Sequence, residues 1–296
     1  MTILVLGGNS RLAAAFATRV AERKRLTLLL RRPPPGAIPG DVRVIDSYDR
    51  IPPDCFQGVT SIVNCVGRTT PESPTSPLRR VNVEIPAAVA RQALDAGVRH
   101  FVQVSSLSVF GGAESIDEAT PLKATADYGR SKIEAEVTLG AMRANGLEPA
   151  LLRVPMIYGR EMPTKLSQLA RLMYRLGWFL GAASRPRRSF VHISNAAAAI
   201  EHIVDTQTTG VVYACDRELF EIGVLAEALA RHRGRAVRIV RVADALLLPL
   251  ALLSPGIHSS LYRPSIVAER VNLCQDIEIP VSLHQGLQEI IENIGH

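Results

Sequence analysis

The stretch that decides the fold lies at the N terminus and reads Thr2-Ile-Leu-Val-Leu-Gly-Gly-Asn-Ser-Arg-Leu-Ala13. A short apolar run ends in two glycines, and the amphipathic stretch Leu12–Arg23 begins directly after this turn. A tight turn between a strand and a helix directs backbone N–H groups and the helix N terminus toward its ligand, which favours a phosphate group. Gly7, Ser10 and Ala13 have the GxxGxxG spacing of such turns, although serine and alanine replace two of the glycines. The turn alone is equally compatible with an ordinary strand–helix connection.

Short apolar runs alternate with helical patterns through the first half of the chain. Six of these runs predict strands: Thr2–Leu6, Thr27–Leu30, Val42–Ile45, Ile62–Val66, Phe101–Ser105 and Ala150–Val154. Amphipathic stretches between them, such as Val81–Ala96 and Tyr128–Ala144, predict helices. Strands that alternate with helices form a parallel sheet that is covered on both faces. The predicted fold is therefore α/β, a doubly wound parallel sheet of the Rossmann type, with ligands at the carboxyl ends of the strands.

The second half of the chain departs from this alternation. Met156–Arg188 is basic and irregular, Phe190–Ile193 and Val211–Ala214 predict strands that return to the sheet, and the chain after Asp216 has the pattern of helices and loops. We therefore expect two parts: a Rossmann domain of residues 1–155 and about 189–215, and a small C-terminal substrate-binding lobe of residues 156–188 and 216–296.

Composition limits the classes of protein to which the chain can belong. Of its 296 residues 47% are hydrophobic and 21% are charged, which is typical of a globular protein with a sizeable core and not of a disordered chain. The formal net charge of +6 suits a small anionic substrate such as a diphosphate. The basic residues are mostly scattered and no nucleic-acid motif accompanies them, so no nucleic-acid partner is expected. The four cysteines lack metal-ligand spacing, which argues against a metal site or a disulfide framework.

No segment of the sequence predicts insertion into a membrane. Thr2–Leu6 is too short for a signal peptide. Ala243–Leu253 contains Asp244 and Pro249 and cannot span a bilayer, although it can form an apolar surface helix. We therefore expect a cytoplasmic protein with reduced cysteines and no integral membrane segment, and a homodimer remains open.

The residues after the second and third predicted strands bear on the choice of dinucleotide. Folds that prefer NAD usually place an acidic residue after the second strand, where it binds the ribose hydroxyls. Arg31 and Arg32 occupy that place here, which favours the 2′-phosphate of NADP, with NAD as the alternative. A solvated arginine pair before a proline-rich loop would have the same sequence. Asp46 follows the third strand and either accepts a hydrogen bond from adenine or caps a turn.

The strongest chemical signal is Tyr128-Gly-Arg-Ser-Lys132, at the start of a predicted helix. Residues four apart share one face of a helix, so the phenol and the ammonium point into the same site. We expect the lysine charge to lower the tyrosine pKa and make the phenol a usable acid or base. Ser106 follows a predicted strand and is our candidate for the hydrogen bond to the reacting oxygen. Ser105 and Ser108 can instead support the loop.

Four segments together resemble the extended short-chain dehydrogenase/reductases, the NAD-dependent epimerase/dehydratase family. They are VNVEIPAAVARQALDAGVRHFVQVSSLSVFG, YGRSK, LLRVPMIYG and RSFVHISN, at residues 81–111, 128–132, 151–159 and 188–195. The resemblance covers essentially the whole chain and is strongest to bacterial nucleotide-sugar 4-ketoreductases and 4-epimerases. The stretch LGAASRPRRSFVHISN at 180–195 is similar to the substrate lobe of enzymes that act on UDP-N-acetyl-hexosamine derivatives.

This resemblance implies roles for particular residues. The implied catalytic residues are Ser106, Tyr128 and Lys132. The resemblance matches Gly7, Ser10 and Ala13 to the phosphate loop and Asn64–Gly67 to the segment that lines the nicotinamide side. With the residues argued above, the predicted cofactor-binding set is Gly7, Asn9, Ser10, Arg11, Leu12, Arg31, Arg32, Asp46, Cys65, Val66, Gly67, Tyr128 and Lys132. The implied substrate-binding residues are Ser106, Ser108 and Arg188, of which Arg188 matches a residue that holds the nucleotide diphosphate. Met156, Asn195 and Phe110 depart from the usual asparagine, aspartate and tyrosine of the family, which leaves the identity of the substrate open.

The resemblance implies a reductase that uses NADP, or NAD, on the 4-keto group of a UDP- or dTDP-linked sugar in polysaccharide or glycoconjugate biosynthesis. A nucleotide-sugar 4-epimerase with retained NAD is the first alternative. The others are a non-catalytic dinucleotide-binding sensor and a ketone reductase of secondary metabolism.

Overall fold

The computed structural model describes residues 1–70, 78–160, 162–253 and 261–294. The strands of these residues are numbered in chain order: β1 (Thr2–Leu6), β2 (Arg25–Leu30), β3 (Asp41–Val44), β4 (Val59–Asn64), β5 (His100–Ser106), β6 (Ser115–Ile116), β7 (Glu148–Val154), β8 (Met156–Tyr158), β9 (Trp178–Ala182), β10 (Phe190–His192), β11 (Gly210–Tyr213), β12 (Arg238–Val242) and β13 (Ile266–Val267). The helices are α1 (Arg11–Val20), α2 (Ile85–Asp95), α3 (Asp127–Ala141), α4 (Lys165–Leu176), α5 (Ile193–Thr206), α6 (Ile222–Arg233), α7 (Leu248–Leu253) and α8 (Leu283–Glu292).

Seven strands form one parallel sheet in the order β3-β2-β1-β4-β5-β7-β11. The chain runs outward from β1 to β3 and then crosses back to β4, so the strand order reverses between β1 and β4. A crevice opens beyond the carboxyl ends of the strands at such a reversal, and it is the usual ligand site of an open α/β sheet. The predicted doubly wound α/β fold is confirmed, and the six early strands and Val211–Ala214 all lie in this sheet within a few residues of their predicted bounds.

The predictions for the second half of the chain were partly wrong. Phe190–Ile193 does not return to the main sheet, because β11 already occupies the position beside β7. Instead β10 pairs with β8 in a separate two-stranded parallel sheet, and Ile193 begins α5. Met156–Arg188 is also regular, since it contains β8, α4 and β9. The strand β12 lies in a region where only helices and loops were expected, and it pairs with β9.

The first helix shows how local sequence fixes an element beside the crevice. The Ser10 hydroxyl accepts a hydrogen bond from the Ala13 N–H at 3.1 Å, which caps α1 directly after the glycine turn. Leu12, Phe16 and Val20 recur at helical spacing and are buried against the sheet and α5. Burial of each such side chain contributes roughly 1.5–3 kcal/mol. The capped turn is therefore held rigidly at the end of β1.

A wide turn of π-helix, Arg80–Glu84, precedes α2 within the stretch expected to be one regular helix. Pro86 explains it, because a proline lacks an N–H and its ring collides with the carbonyl four residues earlier, here that of Asn82. Widening the turn removes the collision, and single π-helical turns of this kind occur often at functional sites. The same turn holds the buried Asn82 side chain against the segment after β4.

The buried apolar side chains of the described residues form a core on each face of the main sheet, a third core away from it, and a small fourth cluster around Leu107, Val109 and Phe110. The two sheet cores pack against α1 and α5 on one face and against α2 and α3 on the other. The third core joins α4, α6, α8, β9 and β10. The members of the third core come mostly from the residues that we expected to form a lobe. The bounds of the two domains stay a prediction.

Two glycines of α3 allow the packing of this helix to be tested. A Cβ added at Gly129 would lie 2.5 Å from the Ser108 carbonyl oxygen and 2.9 Å from the Ala124 Cβ, whereas a Cβ at Gly140 would meet nothing within 4 Å. Alanine is favoured over glycine inside a helix by about 0.5–1 kcal/mol. We expect Gly140→Ala to stabilise the protein by that amount. Gly129→Ala should destabilise it by about 1–3 kcal/mol through overpacking.

Urea unfolding of the two variants measures both effects in the same helix. Equal stabilisation by both substitutions would show that α3 does not pack tightly against the turn that carries Ser108.

Candidate active site

Ser106 and Tyr128 meet at the carboxyl end of β5. Ser106 is the last residue of β5, and its hydroxyl accepts a hydrogen bond from the Ser108 N–H at 3.1 Å. Tyr128 lies in the first turn of α3, and its hydroxyl is hydrogen-bonded to that of Ser106. Because both hydroxyls line the same cavity, they can contact one oxygen atom of a bound molecule.

Lys132 lies one helical turn beyond Tyr128 and is almost fully buried, with 4% of its surface exposed. Its Nζ donates a hydrogen bond to the Val104 carbonyl oxygen at 2.9 Å and lies 5.8 Å from the centre of the Tyr128 ring. Burial lowers the pKa of the ammonium to about 8, because a charged group loses its hydration.

The pKa of Tyr128 differs from our expectation. We expected the lysine charge to lower it, but burial raises it, and the hydrogen bond from Ser106 is the one influence that lowers it. The ammonium is directed at a backbone carbonyl and not at the phenol oxygen, which explains the difference.

Asn82 connects the segment after β4 to α3 and was missed by the sequence analysis. Its Oδ1 accepts the Arg68 N–H at 2.8 Å, and its Nδ2 donates to the Arg68 carbonyl at 2.9 Å and to the Ser131 hydroxyl at 2.8 Å. Ser131 in turn donates to the Tyr128 carbonyl at 2.8 Å. An asparagine on an otherwise apolar helix face was the signal that could have revealed it.

A buried ion pair fixes the other end of α3. Glu136, four residues after Lys132, binds Arg153 of β7 with an Nη2–Oε2 distance of 2.6 Å. The Ser105 hydroxyl donates to Glu136 at 2.5 Å, and Arg153 donates to the Tyr213 hydroxyl at 3.0 Å. Both ions are almost fully buried, so removing one would leave the other without compensation. This network, also missed from sequence, fixes α3 against β5 beside Ser106.

The glycine turn after β1 approaches the segment after β4 very closely. Gly7 has a φ of +75°, and a Cβ there would lie 3.0 Å from the Val66 N. Asn9 Nδ2 donates to the Arg32 carbonyl at 2.9 Å, which ties this turn to the end of β2. Leu12 has a buried side chain, so only its backbone can face a ligand, whereas Arg11 is exposed. Turn, helix cap and strand ends therefore form a cradle with no room for larger side chains.

The Tyr48 hydroxyl supports this cradle and was not predicted from sequence. It accepts a hydrogen bond from the Gly7 N–H at 3.1 Å and donates to the Leu29 carbonyl at 3.1 Å. Arg31, Arg32 and Asp46 are exposed at the ends of β2 and β3. The positive charge of Arg31 is close enough to lower the pKa of Tyr48, against a larger rise from burial.

The predicted residues after β4 lie between the cradle and Lys132. Cys65 is hydrogen-bonded to Ser10, and burial raises the pKa of its thiol to about 12, which keeps it protonated and unreactive. A Cβ added at Gly67 would lie 3.2 Å from the Lys132 Nζ. The structure thus brings the first strand's turn, the segment after β4 and the lysine together around one space.

A cavity of about 640 Å³ opens beside Ser106 and Tyr128. Arg188 lines the same cavity, with Met156, Phe190 and Phe220 among its apolar walls. The Arg188 Nη1 donates to the Arg263 carbonyl oxygen at 2.5 Å, and burial lowers the pKa of its guanidinium. All three predicted substrate-binding residues therefore line one cavity.

Ser108 also lines this cavity, and its side chain has an unusual feature. Its hydroxyl oxygen is buried and makes no hydrogen bond within the described part of the chain. A buried hydroxyl without a partner costs free energy, so the fold holds Ser108 beside the cavity at a cost in stability.

Two further features of the described residues bear on the class of protein. Within residues 1–70, 78–160, 162–253 and 261–294 there is no cluster of three or more His, Cys, Asp or Glu side chains that could hold a metal ion. Among the same residues no helix has the length and apolar character needed to cross a membrane.

Comparison with known sequences finds an epimerase and a reductase among the relatives of this chain. The chain is 28% identical over 163 residues to the UDP-glucose 4-epimerase of Vibrio cholerae, a match that spans 51% of this chain and about half, 49%, of that enzyme. It is 25% identical over 274 residues to the 2'-dehydrokanamycin reductase of Streptomyces kanamyceticus, which covers 89% of this chain and 68% of that one.

Among solved structures, the fold is similar to that of UDP-glucuronic acid 4-epimerase from Bacillus cereus in complex with UDP-glucuronic acid and NAD. The TM-score is 0.76 over 100% of this chain and 99% of that one, at 15% sequence identity, which shows the fold alone. The model of the NAD dependent epimerase/dehydratase family matches residues 3–216, which include the glycine turn, Ser106, Tyr128, Lys132 and Arg188. The fold, the arrangement of these side chains and the family match agree, and the chain belongs to the NAD-dependent epimerase/dehydratase family of enzymes.

Proposed function

We propose that this enzyme reduces the 4-keto group of a nucleotide-diphosphate sugar, UDP- or dTDP-linked, with NADP as its preferred cofactor. The observation that carries the proposal is that Ser106, Tyr128 and Arg188 line one cavity. An acid–base pair and a guanidinium in one site suit a substrate with a ketone at one end and a diphosphate at the other.

The cradle fits a dinucleotide on three observations. Gly7 and Val66 leave space only for bare backbone, which is what a pyrophosphate requires of its contacts. The N terminus of α1, capped by Ser10, provides N–H groups and a partial positive charge for an anion. Lys132 is held at the junction of cradle and cavity, where it would contact the nicotinamide ribose. When bound, the nicotinamide supplies the hydride that reduces the ketone carbon.

The side chains of the cavity would perform the proton transfer. Tyr128 donates its phenolic proton to the carbonyl oxygen as that oxygen gains charge, so that the product is an alcohol. The Ser106 hydroxyl donates a hydrogen bond to the same oxygen and stabilises the developing negative charge. Tyr128 is left as a phenolate until a proton returns from solvent, and the Ser106 side chain is the described group that favours this charged form.

Arg188 is held in a fixed position for a diphosphate. The backbone N–H of Arg188 donates to the Phe220 carbonyl oxygen, and the Arg188 carbonyl oxygen accepts the Phe220 N–H, both at 2.9 Å. A second cavity, of about 680 Å³, adjoins this segment and includes Arg185, Arg187 and Arg263 in its walls. Two neighbouring cavities with basic walls provide room and charge for the nucleoside end of the substrate.

The exposed Arg31 and Arg32 support NADP, because charged donors at the end of β2 suit the 2′-phosphate. The relatives keep the main alternative open, since two of those described above are 4-epimerases and one was solved with NAD. An epimerase would retain its cofactor tightly and return an isomer of the substrate. The 2'-dehydrokanamycin reductase favours a second alternative, reduction of a ketone that carries no nucleotide.

Replacement of Tyr128 tests the acid–base role. Tyr128→Phe removes only the proton donor, so cofactor affinity should persist while kcat falls on the order of 100-fold or more. Tyr174→Phe, outside the cavity walls, is the control and should leave kcat unchanged. A Tyr128→Phe enzyme with normal turnover would remove Tyr128 from the mechanism.

Replacement of Arg31 and Arg32 with alanine tests the choice of cofactor. A charge-assisted contact contributes roughly 1.5–3 kcal/mol, so the ratio of NADPH to NADH affinity should fall by about tenfold or more. Titration of both cofactors measures the ratio, and Arg91→Ala/Arg99→Ala supplies a control with the same loss of charge. Equal weakening of NADH and NADPH would show that the two arginines only support the loop.

Arg188 tests the nucleotide part of the substrate. UDP or dTDP should protect the wild-type protein against thermal unfolding, by about 2.7 kcal/mol at a concentration of one hundred times Kd. Arg188→Ala should abolish this protection and raise KM for a nucleotide sugar, with NADPH affinity unchanged. Arg188→Lys should restore part of the effect, because an ammonium lacks the bidentate geometry of a guanidinium. No shift of the wild-type Tm by any nucleoside diphosphate would favour a ketone without a nucleotide.

A further inference from the structure

We propose that one face of the molecule, built from α4, β9 and β12, docks on a lipid bilayer that contains anionic headgroups. This basic apolar face combines exposed arginines with exposed large apolar side chains. Its members are Arg171, Leu172, Arg175, Leu176, Trp178, Leu180, Arg238 and Val240.

The outward side of α4 carries apolar side chains, whereas a surface helix normally presents polar side chains to water. Leu172 and Leu176 lie four residues apart on the exposed side, and Arg171 and Arg175 lie beside them at the same spacing. The inward side of the helix packs in the third core, where Leu166, Leu169 and Met173 are buried. The outer leucines are therefore a second apolar surface, flanked by positive charge.

The two-stranded sheet of β9 and β12 continues this surface. In β9, Phe179 points into the core while Trp178 and Leu180 point outward, and Trp178 is 45% exposed. The parallel register sets Trp178 opposite Arg238 and Leu180 opposite Val240. Cross-strand neighbours on one face are in contact, so tryptophan, leucine, valine and arginine form one outward patch.

The stretches of sequence that contain this face are basic. Residues 162–200 and 228–243 contain eleven of the chain's 34 Lys and Arg residues and none of its 28 Asp and Glu residues. The remainder of the chain therefore has more acidic than basic residues. In the part of the chain that the structure describes, Arg171, Arg175 and Arg238 form no salt bridge with a carboxylate. Such a field attracts an anionic surface.

A bilayer fits this combination better than a second copy of the chain. A symmetric contact between two copies of the face would place arginines against arginines, which is repulsive. In an interfacial contact the leucines and Trp178 enter the headgroup boundary while the arginines meet lipid phosphates. The segment directly after β12 adds Leu246, Leu248 and Leu252, of which Leu252 is 86% exposed. The contact is peripheral, since no described helix can cross a membrane.

Trp178 allows a direct test, because it is the one tryptophan of the chain and its fluorescence reports on this face alone. The full-length protein should sediment with vesicles of phosphatidylcholine and phosphatidylglycerol, but not with phosphatidylcholine alone. Its tryptophan emission should shift to shorter wavelength on binding, and added salt should release it.

Matched variants distinguish binding through this face from binding through the positive charge of the whole protein. Each arginine near an anionic bilayer strengthens binding about fivefold, so Arg171→Gln/Arg175→Gln should weaken vesicle binding by about 30-fold. Leu172→Gln/Leu176→Gln should also weaken it, without a change of charge. Arg91→Gln/Arg99→Gln removes the same charge from exposed sites outside the face and should have little effect.

Several outcomes would overturn the proposal. The proposal is wrong if the protein fails to sediment with the anionic vesicles, if the variants and the control lose vesicle binding equally, or if the Trp178 emission stays unchanged on binding. Competition by inorganic phosphate at concentrations that match the lipid phosphate would point to an anion site and not a bilayer. Self-association that the same variants abolish would show that a second copy covers the face.

Discussion

Burial of the Lys132 ammonium is the constraint on which the site depends. An ion that loses its hydration must gain compensation from fixed partners, or the structure that holds it is destabilised. Here the Val104 carbonyl accepts its hydrogen bond, and the negative charge of Glu136 raises its pKa against the larger fall from burial. Val104 lies on β5, which also carries Ser105 and Ser106, and Glu136 of α3 accepts a hydrogen bond from the Ser105 hydroxyl. The protein therefore cannot hold this lysine without also fixing the end of β5.

The close approaches around the lysine follow from the same constraint. Gly67 leaves room for the lysine head, Gly129 leaves room for the turn that carries Ser108, and Asn82 joins the two regions through Arg68 and Ser131. A Cβ at Gly129 requires α3 or the Ser108 backbone to move, and a Cβ at Gly67 requires the lysine head to shift. The geometry of Ser106 and Tyr128 is thus a consequence of packing between the sheet and one helix.

The parts of the fold that could be predicted from sequence depend on strong local patterns. The apolar runs of the main sheet and the turn at Gly7 have such patterns, and YxxxK on a helix places two side chains on one face by spacing alone. The partners of these groups could not be predicted, because Asn82, Tyr48 and Arg153 act through contacts between residues distant in sequence. The strands β9 and β12 were missed since their outward positions carry apolar side chains or arginine, which removes the usual alternation. That same departure from alternation underlies the proposed bilayer contact.

The most direct measurement of the central claim is the transfer of deuterium from NADPH labelled at the nicotinamide C4 to a nucleotide-linked 4-keto sugar. Mass spectrometry of the product together with the loss of NADPH absorbance follows both halves of the reaction. We expect one deuterium on the sugar C4 for each NADPH oxidised, with wild-type enzyme and not with a Ser106→Ala/Tyr128→Phe variant. Label transfer that is independent of these two residues, or no transfer to any UDP- or dTDP-linked 4-keto sugar, would contradict it.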